Sequence, residues 1–358
     1  MTGGAGFIGS ALVRHLIARE HQVVTVDALT YAGHLESLGG ALVDPNHRFE
    51  RSDIRESEAL RRVFSDTQPD IVIHLAAESH VDRSIDSPMD FVTTNVLGTV
   101  VLLQVATEYW RALPPSRRKH FRVLHVSTDE VYGSLGESGV FTEDSPYLPN
   151  SPYAASKASS DHFARAWHKT FGLPVLISHC SNNYGPYQML EKLLPVVILA
   201  ALEGRPIPIY GNGQNVRDWL FVDDHALALE LIAREGRPGA VYNVGSNQEI
   251  ANLDMVRRLC SWMDELVPTS AYWPHESLIT FVPDRPGHDQ RYAIDSTRVR
   301  TELGWAPRRS LHEGLGLTVS WYLENRWWWQ AIRQRGFNDS VRQGLGADGS
   351  GEGAAHAL

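Results

Sequence analysis

Asp129 and Glu130 stand side by side in STDEVYG (127–133), directly after the apolar run FRVLHV. Neighbouring residues on a strand point to opposite faces, so both carboxylates can serve one site only where the strand has ended and a turn carries them. A solvated turn is the plain alternative. A second group lies in Tyr153-Ala154-Ala155-Ser156-Lys157. On a helix, positions four apart share a face, which sets an ammonium beside a phenol. A free tyrosine titrates near ~10, and a neighbouring cation is expected to lower that value by favouring the phenolate. Such a phenol can take a proton from a hydroxyl while a hydride departs; packing on an amphipathic helix is the alternative. The third group is GGAGFIG (3–9), in which Gly4, Gly6 and Gly9 give G-x-G-x-x-G and Gly3, Gly6 and Gly9 give G-x-x-G-x-x-G. Glycines there permit a tight turn and close approach of a pyrophosphate, and the helix starting at Phe7 and Ile8 points its amino end at the anion. Asp27 ends the next strand-like run, QVVTVD. A carboxylate there accepts from both ribose hydroxyls and repels a 2′-phosphate, which favours NAD over NADP. Asp53, next to Ile54, reads as an adenine contact or equally as a helix N-cap.

The elements that must hold these groups alternate along the first half of the chain. QVVTVD (22–27), RFERSDI (48–54), DIVIHLA (70–76), FRVLHVS (121–127) and LPVLISH (173–179) read as strands, and stretches near 8–19, 56–66, 88–111 and 152–171 as helices. Strands alternating with helices predict an α/β fold: a Rossmann-type doubly wound parallel sheet over residues 1–186. From 187 to 330 the pattern loosens, which predicts a smaller C-terminal α/β substrate-binding domain with segments returning to the main sheet. The low-complexity stretch at 344–358 is expected to be disordered. Because the glycine loop begins at residue 2, the strand that normally precedes it is missing. The expectation is a start upstream of Met1, since the sheet would otherwise lack its middle strand.

The chain has 358 residues, 43% hydrophobic, with a net charge of −9. That balance offers no broad basic field for nucleic acid or an anionic membrane, and no apolar run reads as long enough to span a bilayer. Two cysteines, Cys180 and Cys260, form no disulfide framework and no metal-spaced cluster. A reducing cytoplasm and no metal are therefore expected. The WWW at 327–329 reads as packing.

Taken with VDALTYAGHLESL (26–38), HLAAESHVDRSI (74–85), YAASKASSDH (153–162), SNNYGPY (181–187), GNGQNVRDWLFVDDHA (211–226) and DRPGHDQRYAID (284–295), these motifs resemble the extended short-chain dehydrogenase/reductases. Within that family the resemblance is to the dTDP-glucose 4,6-dehydratases, and it covers nearly everything but the tail. It implies oxidation of a sugar C4 hydroxyl, elimination of water across C5 and C6, and return of the hydride to C6. By resemblance Glu130 is the base and Asp129 the acid of the elimination. Thr128 bonds the C4 oxygen, Tyr153 is the oxidation-step base, and Lys157 tunes Tyr153 and holds the nicotinamide ribose. Ala76, Ala77 and Asn95 are expected along the cofactor groove. Arg217 is a fork donor suited to a diphosphate. Resemblance adds Asn182, Lys192, Tyr210, Asn252, Arg285 and His288 as nucleotide or diphosphate contacts, and Ser84 beside the sugar or its diphosphate. It also implies a homodimer joined through the helices near 88–111 and 152–171. One local departure is YQMLEKLLP (187–195), where the family more usually carries an aromatic and a proline before Glu-Lys.

Sister enzymes of the fold compete with this reading. A 4-epimerase has no use for an acid and a base at Asp129 and Glu130, and a glucuronate decarboxylase would find Asp129 opposed to its substrate's carboxylate. A non-catalytic dinucleotide sensor could dispense with Thr128, Tyr153 and Lys157. A UDP-sugar differs from a dTDP-sugar by little more than a methyl group, which a hydrophobic pocket separates by only ~1–3 kcal/mol.

Overall fold

A computed structural model describes residues 1–284 and 287–337; the expected disordered stretch at 344–358 lies outside them. Four parallel strands form the main sheet in the order β3 (Ile71–His74), β4 (Arg122–Thr128), β5 (Val175–Cys180) and β9 (Val241–Val244). β1 (Val23–Asp27) and β2 (His47–Arg51) pair in parallel beside them. The place between β1 and β3 is held by Thr2, which bridges Val26 on one side and His74 on the other, both in parallel sense. Its amide donates to Ile73 O at 3.0 Å, and Val26 N–H donates to Met1 O at 2.8 Å. The two halves of the sheet thus meet through one residue pair at the head of the glycine loop.

Helices cover both faces, as strands hydrophobic on both sides require. α1 (Phe7–Ile17) lies on one face, where Leu12 packs with Leu124, Val126 and Leu176. α2 (Ser57–Thr67), α3 (Thr99–Ala112) and α4 (Pro152–Phe171) lie on the other, packed over Val72, Val123, Val175 and Ile177. The expected helix at 88–111 is not one regular helix. A π turn at Val92–Gly98 separates Pro88–Phe91 from α3, and such turns often sit at functional sites. Here it lets Asn95 reach across to the Glu78 backbone, donating to Glu78 O at 2.9 Å and accepting from Glu78 N at 2.8 Å. By length and composition the run Pro88–Ala112 would suffice to cross a membrane, which corrects the expectation that none does. Its small polar residues mask the run in sequence, and its buried side packs against α2 and α4.

The second lobe has its own core. α5 (Leu193–Glu203) packs on α7 (Asn252–Leu266) and α8 (Leu311–Glu324), around Leu194, Ile198, Leu259 and Leu315. Two short sheets edge this core: β6 (Asn182–Tyr184) with β8 (Val216–Phe221) and β10 (Glu249–Ala251), and β7 (Ile207–Tyr210) with β11 (Ile279–Val282). Between β8 and β9, α6 (Val222–Glu235) crosses back onto α1, so the chain returns to the main sheet. α9 (Arg326–Gln334) ties the lobes together, with Trp328 Nε1 donating to Ser37 Oγ at 3.1 Å. Trp328 and Trp329 are packed inside and Trp327 is half exposed.

Candidate active site

β4 ends at Thr128, and the chain turns at once into a 3-10 turn, Asp129–Tyr132. The Thr128 hydroxyl accepts the Glu130 N–H at 3.3 Å. Gly133, at φ +90°, closes the turn so tightly against the Leu148 carbonyl that a Cβ would not fit. Both carboxylates therefore ride on one turn at the C-terminal edge of the sheet, where parallel sheets place their ligands. Asp129 is 2% exposed, and one of its oxygens has no hydrogen-bond partner among the described residues. Burial, then the charges of Glu130 and Asp218, hold its carboxyl well above the usual range, against the opposing pull of Arg217. Both causes favour the acid form of Asp129 beside Glu130.

α4 starts on a Ser151 cap, whose Oγ accepts Ala154 N at 3.1 Å, with Pro152 in the first turn. Tyr153 and Lys157 follow on one face and both are buried. Thr128 hydrogen-bonds the Tyr153 phenol. The expected lowering of the phenol is reversed here. Burial first, then the charge of Glu130, push it well above its ordinary value. Lys157 does not offset this, because its Nζ donates to Val126 O at 2.8 Å. Burial also lowers Lys157 itself.

A cleft of about 480 Å³ runs from the glycine loop to this turn, lined by Gly3, Gly6, Phe7, Ile8, Gly9, Asp27, Asp53, Ile54, Ala76, Ala77, Thr128, Asp129, Glu130, Tyr153 and Lys157. Its glycine loop and Asp27 are the residue types that hold a dinucleotide. Gly9 sits so close under the Gly3 carbonyl that any Cβ would collide, whereas a Cβ on Gly6 would meet only Gly3 O at 3.4 Å and otherwise fill the cleft. No side chain caps α1 at Gly6, which leaves its first N–H groups for an anion. Asp27 is braced by Ala5 N and Leu29 N, each at 2.9 Å, with its remaining lone pairs available at the cleft. Asp53 caps no helix; it accepts from Arg55 backbone and side chain in a local turn, and Glu56 is the N-cap of α2. Asn95 lies behind the wall, holding Glu78 and donating to Ser156 Oγ at 2.9 Å.

A second cavity, about 910 Å³, joins the first along Asn182, Glu191, Lys192 and Trp219. Tyr210, Arg217, Asn252 and His288 line it, so it gathers six of the expected substrate residues with Asn182 and Lys192. Arg217 is buried against the Tyr292 ring, 4.3 Å from its centroid, and donates to Asp289 O at 2.9 Å. Lys192 Nζ donates to Ser79 O at 3.1 Å. His288 Nδ1 lies 2.6 Å from Asp284 Oδ1. Ser84 lines neither cavity: it is fully buried and donates to Val81 O at 2.6 Å. Arg285 lies outside the described residues. Sequence reasoning missed the wall made by Tyr31, Arg83 and Glu191, where Arg83 stacks 3.7 Å over Tyr31 and Tyr31 donates to Glu191 at 3.1 Å. These residues fall inside motifs quoted above, but nothing in their spacing marks them as neighbours.

Residues 1–318 match the model of a family described as GDP-mannose 4,6 dehydratase. A Sinorhizobium fredii protein named "Probable dTDP-glucose 4,6-dehydratase" is 58% identical over 94% of this chain and 95% of its own length. The dTDP-glucose 4,6-dehydratase of Xanthomonas campestris is 53% identical over 93% and 95%. Among solved structures, DesIV of Streptomyces venezuelae, a dTDP-glucose 4,6-dehydratase with NAD bound, is 45% identical with a TM-score of 0.83, covering 92% of this chain and 98% of that one. The UDP-glucose 4-epimerase of Thermus thermophilus, also with NAD, is 28% identical with a TM-score of 0.79, covering 90% and 98%.

Proposed function

The chain belongs to the GDP-mannose 4,6 dehydratase family, and from that membership we propose that it is an NAD-dependent dTDP-glucose 4,6-dehydratase, converting dTDP-glucose to dTDP-4-keto-6-deoxyglucose. One observation carries the reading: a buried carboxyl group, Asp129, and its neighbour Glu130 share a turn within the cavity that also holds Thr128, Tyr153 and Lys157. An elimination needs an acid and a base in different protonation states, and an epimerisation does not.

Thr128 and Tyr153 grip the C4 oxygen, and Tyr153 takes the hydroxyl proton as the phenolate, a form that the positive ring of bound NAD would favour against the burial that otherwise raises it. The glycine loop and Asp27 would hold NAD, which would supply the hydride acceptor and donor. The C4 ketone acidifies the C5 proton, which Glu130 removes while Asp129 protonates the departing C6 hydroxyl. Arg217 and Lys192 anchor the diphosphate, and Asn182, Tyr210, Asn252, Arg285 and His288 complete the nucleotide end. Residues 1–186 act as the cofactor domain and 187–330 as mainly the substrate domain. A cytoplasmic site of action is supported by two buried, unpaired thiols, Cys180 and Cys260. A homodimer is supported by exposed apolar side chains along the Pro88–Ala112 run and α4.

The test is incubation with dTDP-glucose deuterated at C4, read by mass spectrometry and NMR. Loss of one water with deuterium recovered at C6 is expected. Unchanged mass with inversion at C4 would make the enzyme an epimerase. Turnover of UDP-glucose in preference to dTDP-glucose would keep the chemistry and move the nucleotide.

A further inference from the structure

Between β6 and α5 the chain runs as GPYQMLEK (185–192), with neither helix nor strand. Glu191 and Lys192, at its end, line both cavities, whereas Tyr187 lines neither. Tyr187 nevertheless has the least comfortable backbone of the segment. It sits in a turn directly after Pro186 with φ +66°. Glycine or asparagine adopts that left-handed conformation readily, and a bulky aromatic there is strained. Such strain persists only where the surroundings over-determine it.

Here the surroundings act through the ring. Trp321 of α8 packs on it with centroids 4.3 Å apart, and Trp328 of α9 meets it edge-on at 5.6 Å. The Arg14 guanidinium of α1 lies over the ring, 4.3 Å from its centroid, an attractive arrangement for a cation. Arg14 and Trp328 meet again at Ser37, whose carbonyl accepts from Arg14 and whose Oγ accepts from Trp328 Nε1. The ring is thus gripped by the first lobe on one side and by the second on the other. From Tyr187 onward the segment is led to the cavities. Gln188 O accepts the Tyr322 hydroxyl, and Met189 and Leu190 are buried in the second core. Lys192 N–H closes a turn onto Met189 O at 3.0 Å, and its Nζ reaches across to Ser79 O in the wall of the first cavity.

We propose that Tyr187 is a positioning residue for substrate binding: its ring, gripped by Arg14, Trp321 and Trp328, holds the strained turn that delivers Glu191 and Lys192 to the seam between the cavities. The proposal rests on the functional reading above for the role of Lys192 at the diphosphate. It adds a residue that touches neither substrate nor cofactor, and it gives Trp328 a task besides packing. It also joins α1, the helix behind the glycine loop, to the segment that carries the diphosphate anchor.

Two readouts on the NAD-loaded protein decide it. Tyr187→Asn tolerates the left-handed backbone but lacks the ring, and Tyr187→Phe keeps the ring. The first readout needs no substrate: amide hydrogen exchange by mass spectrometry. Exchange over 185–192 is expected to rise in Tyr187→Asn and to match wild type in Tyr187→Phe, with β4 and α4 unchanged in both. The second is calorimetric binding of dTDP. Tyr187→Asn is expected to weaken it about tenfold, the worth of one charge-assisted contact, and Tyr187→Phe to restore it. In a Lys192→Ala background the Tyr187→Asn change should cost nothing further, because the contact it misplaces is already gone. A merely structural role would add its loss in full. Unchanged exchange, exchange raised equally over β4 and α4, unchanged affinity, or a loss that adds to Lys192→Ala overturns the proposal. If Tyr187→Asn does not fold, Trp321→Leu, which opens one side of the grip, takes the same two tests with the same expected outcomes. If wild type does not bind dTDP, the functional reading fails at its nucleotide and the exchange measurement still judges Tyr187.

Discussion

At the residue scale, the division of labour between Asp129 and Glu130 follows from what surrounds each. Asp129 is sealed by the 3-10 turn with an oxygen unpartnered among the described residues, which favours its acid form; Glu130 is only partly buried. Glu130→Gln is expected to leave C4 oxidation intact and slow the elimination by ~10²–10⁴-fold. Reduced cofactor would then accumulate on the enzyme and be visible by absorbance. Asp129→Asn should show the same signature, since an amide cannot give up the proton. The pH dependence has a defined sign. The acid form is required, and its proton affinity is raised, so elimination persists above the ordinary carboxyl range and falls as pH rises through the raised value. A rate that instead grows with alkalinity through that range would exchange the two roles. Tyr153→Phe differs in kind: no reduced cofactor should form, because the loss precedes the hydride step.

At the element scale, the packing of α1 on α6 carries its own electrostatic device. Glu230 on α6 is nearly sealed from solvent and bonded by His15, Arg19, His21 and Arg234. Those donors outweigh the cost of burial and hold its carboxyl down to about 2, against an ordinary 4.5. A carboxylate depressed by folding stabilises the fold above its ordinary value, and that contribution disappears as pH falls toward the depressed one. Glu230→Gln is expected to cost about 2 kcal/mol at neutral pH, read by denaturant unfolding, and the gap to wild type should close near the depressed value. A gap that stays constant down to that pH would mean that packing, not charge, is what the variant loses. The same elements show what a sequence can disclose. Strands and helices of the first half were legible because each obeys one period, 2.0 or 3.6. The π turn at Val92–Gly98 was not, since the Asn95–Glu78 bonds it permits join residues that no helical or strand period relates. Tyr153 was found by its spacing to Lys157, but the direction of its titration was misjudged because burial is set by packing from outside the motif. Ser84, inside a motif, faces away for the same reason.

At the scale of the whole molecule, exposed apolar side chains lie on two packed helices among the described residues. Met89, Val92 and Leu97 are exposed on the Pro88–Ala112 run, and Phe163 and Phe171 on α4 beside it. Scattered exposed apolar residues need no explanation, but a group on two packed helices is where the proposed homodimer would pair. Tyr153 and Lys157 project from α4 into the cavity, so the helix that positions the chemistry is also the one the pairing would brace. A two-fold pairing of such a face is isologous, each helix meeting its copy. Leu97→Glu together with Phe163→Glu would set like charges across that axis. The expected outcome is a shift from dimer to monomer by light scattering, with the circular dichroism of the fold retained and the oxidation rate reduced as α4 loses its brace. Wild type that is monomeric at micromolar concentration would remove this face as a dimer contact, and a monomeric variant with full activity would show that α4 is held by its own lobe.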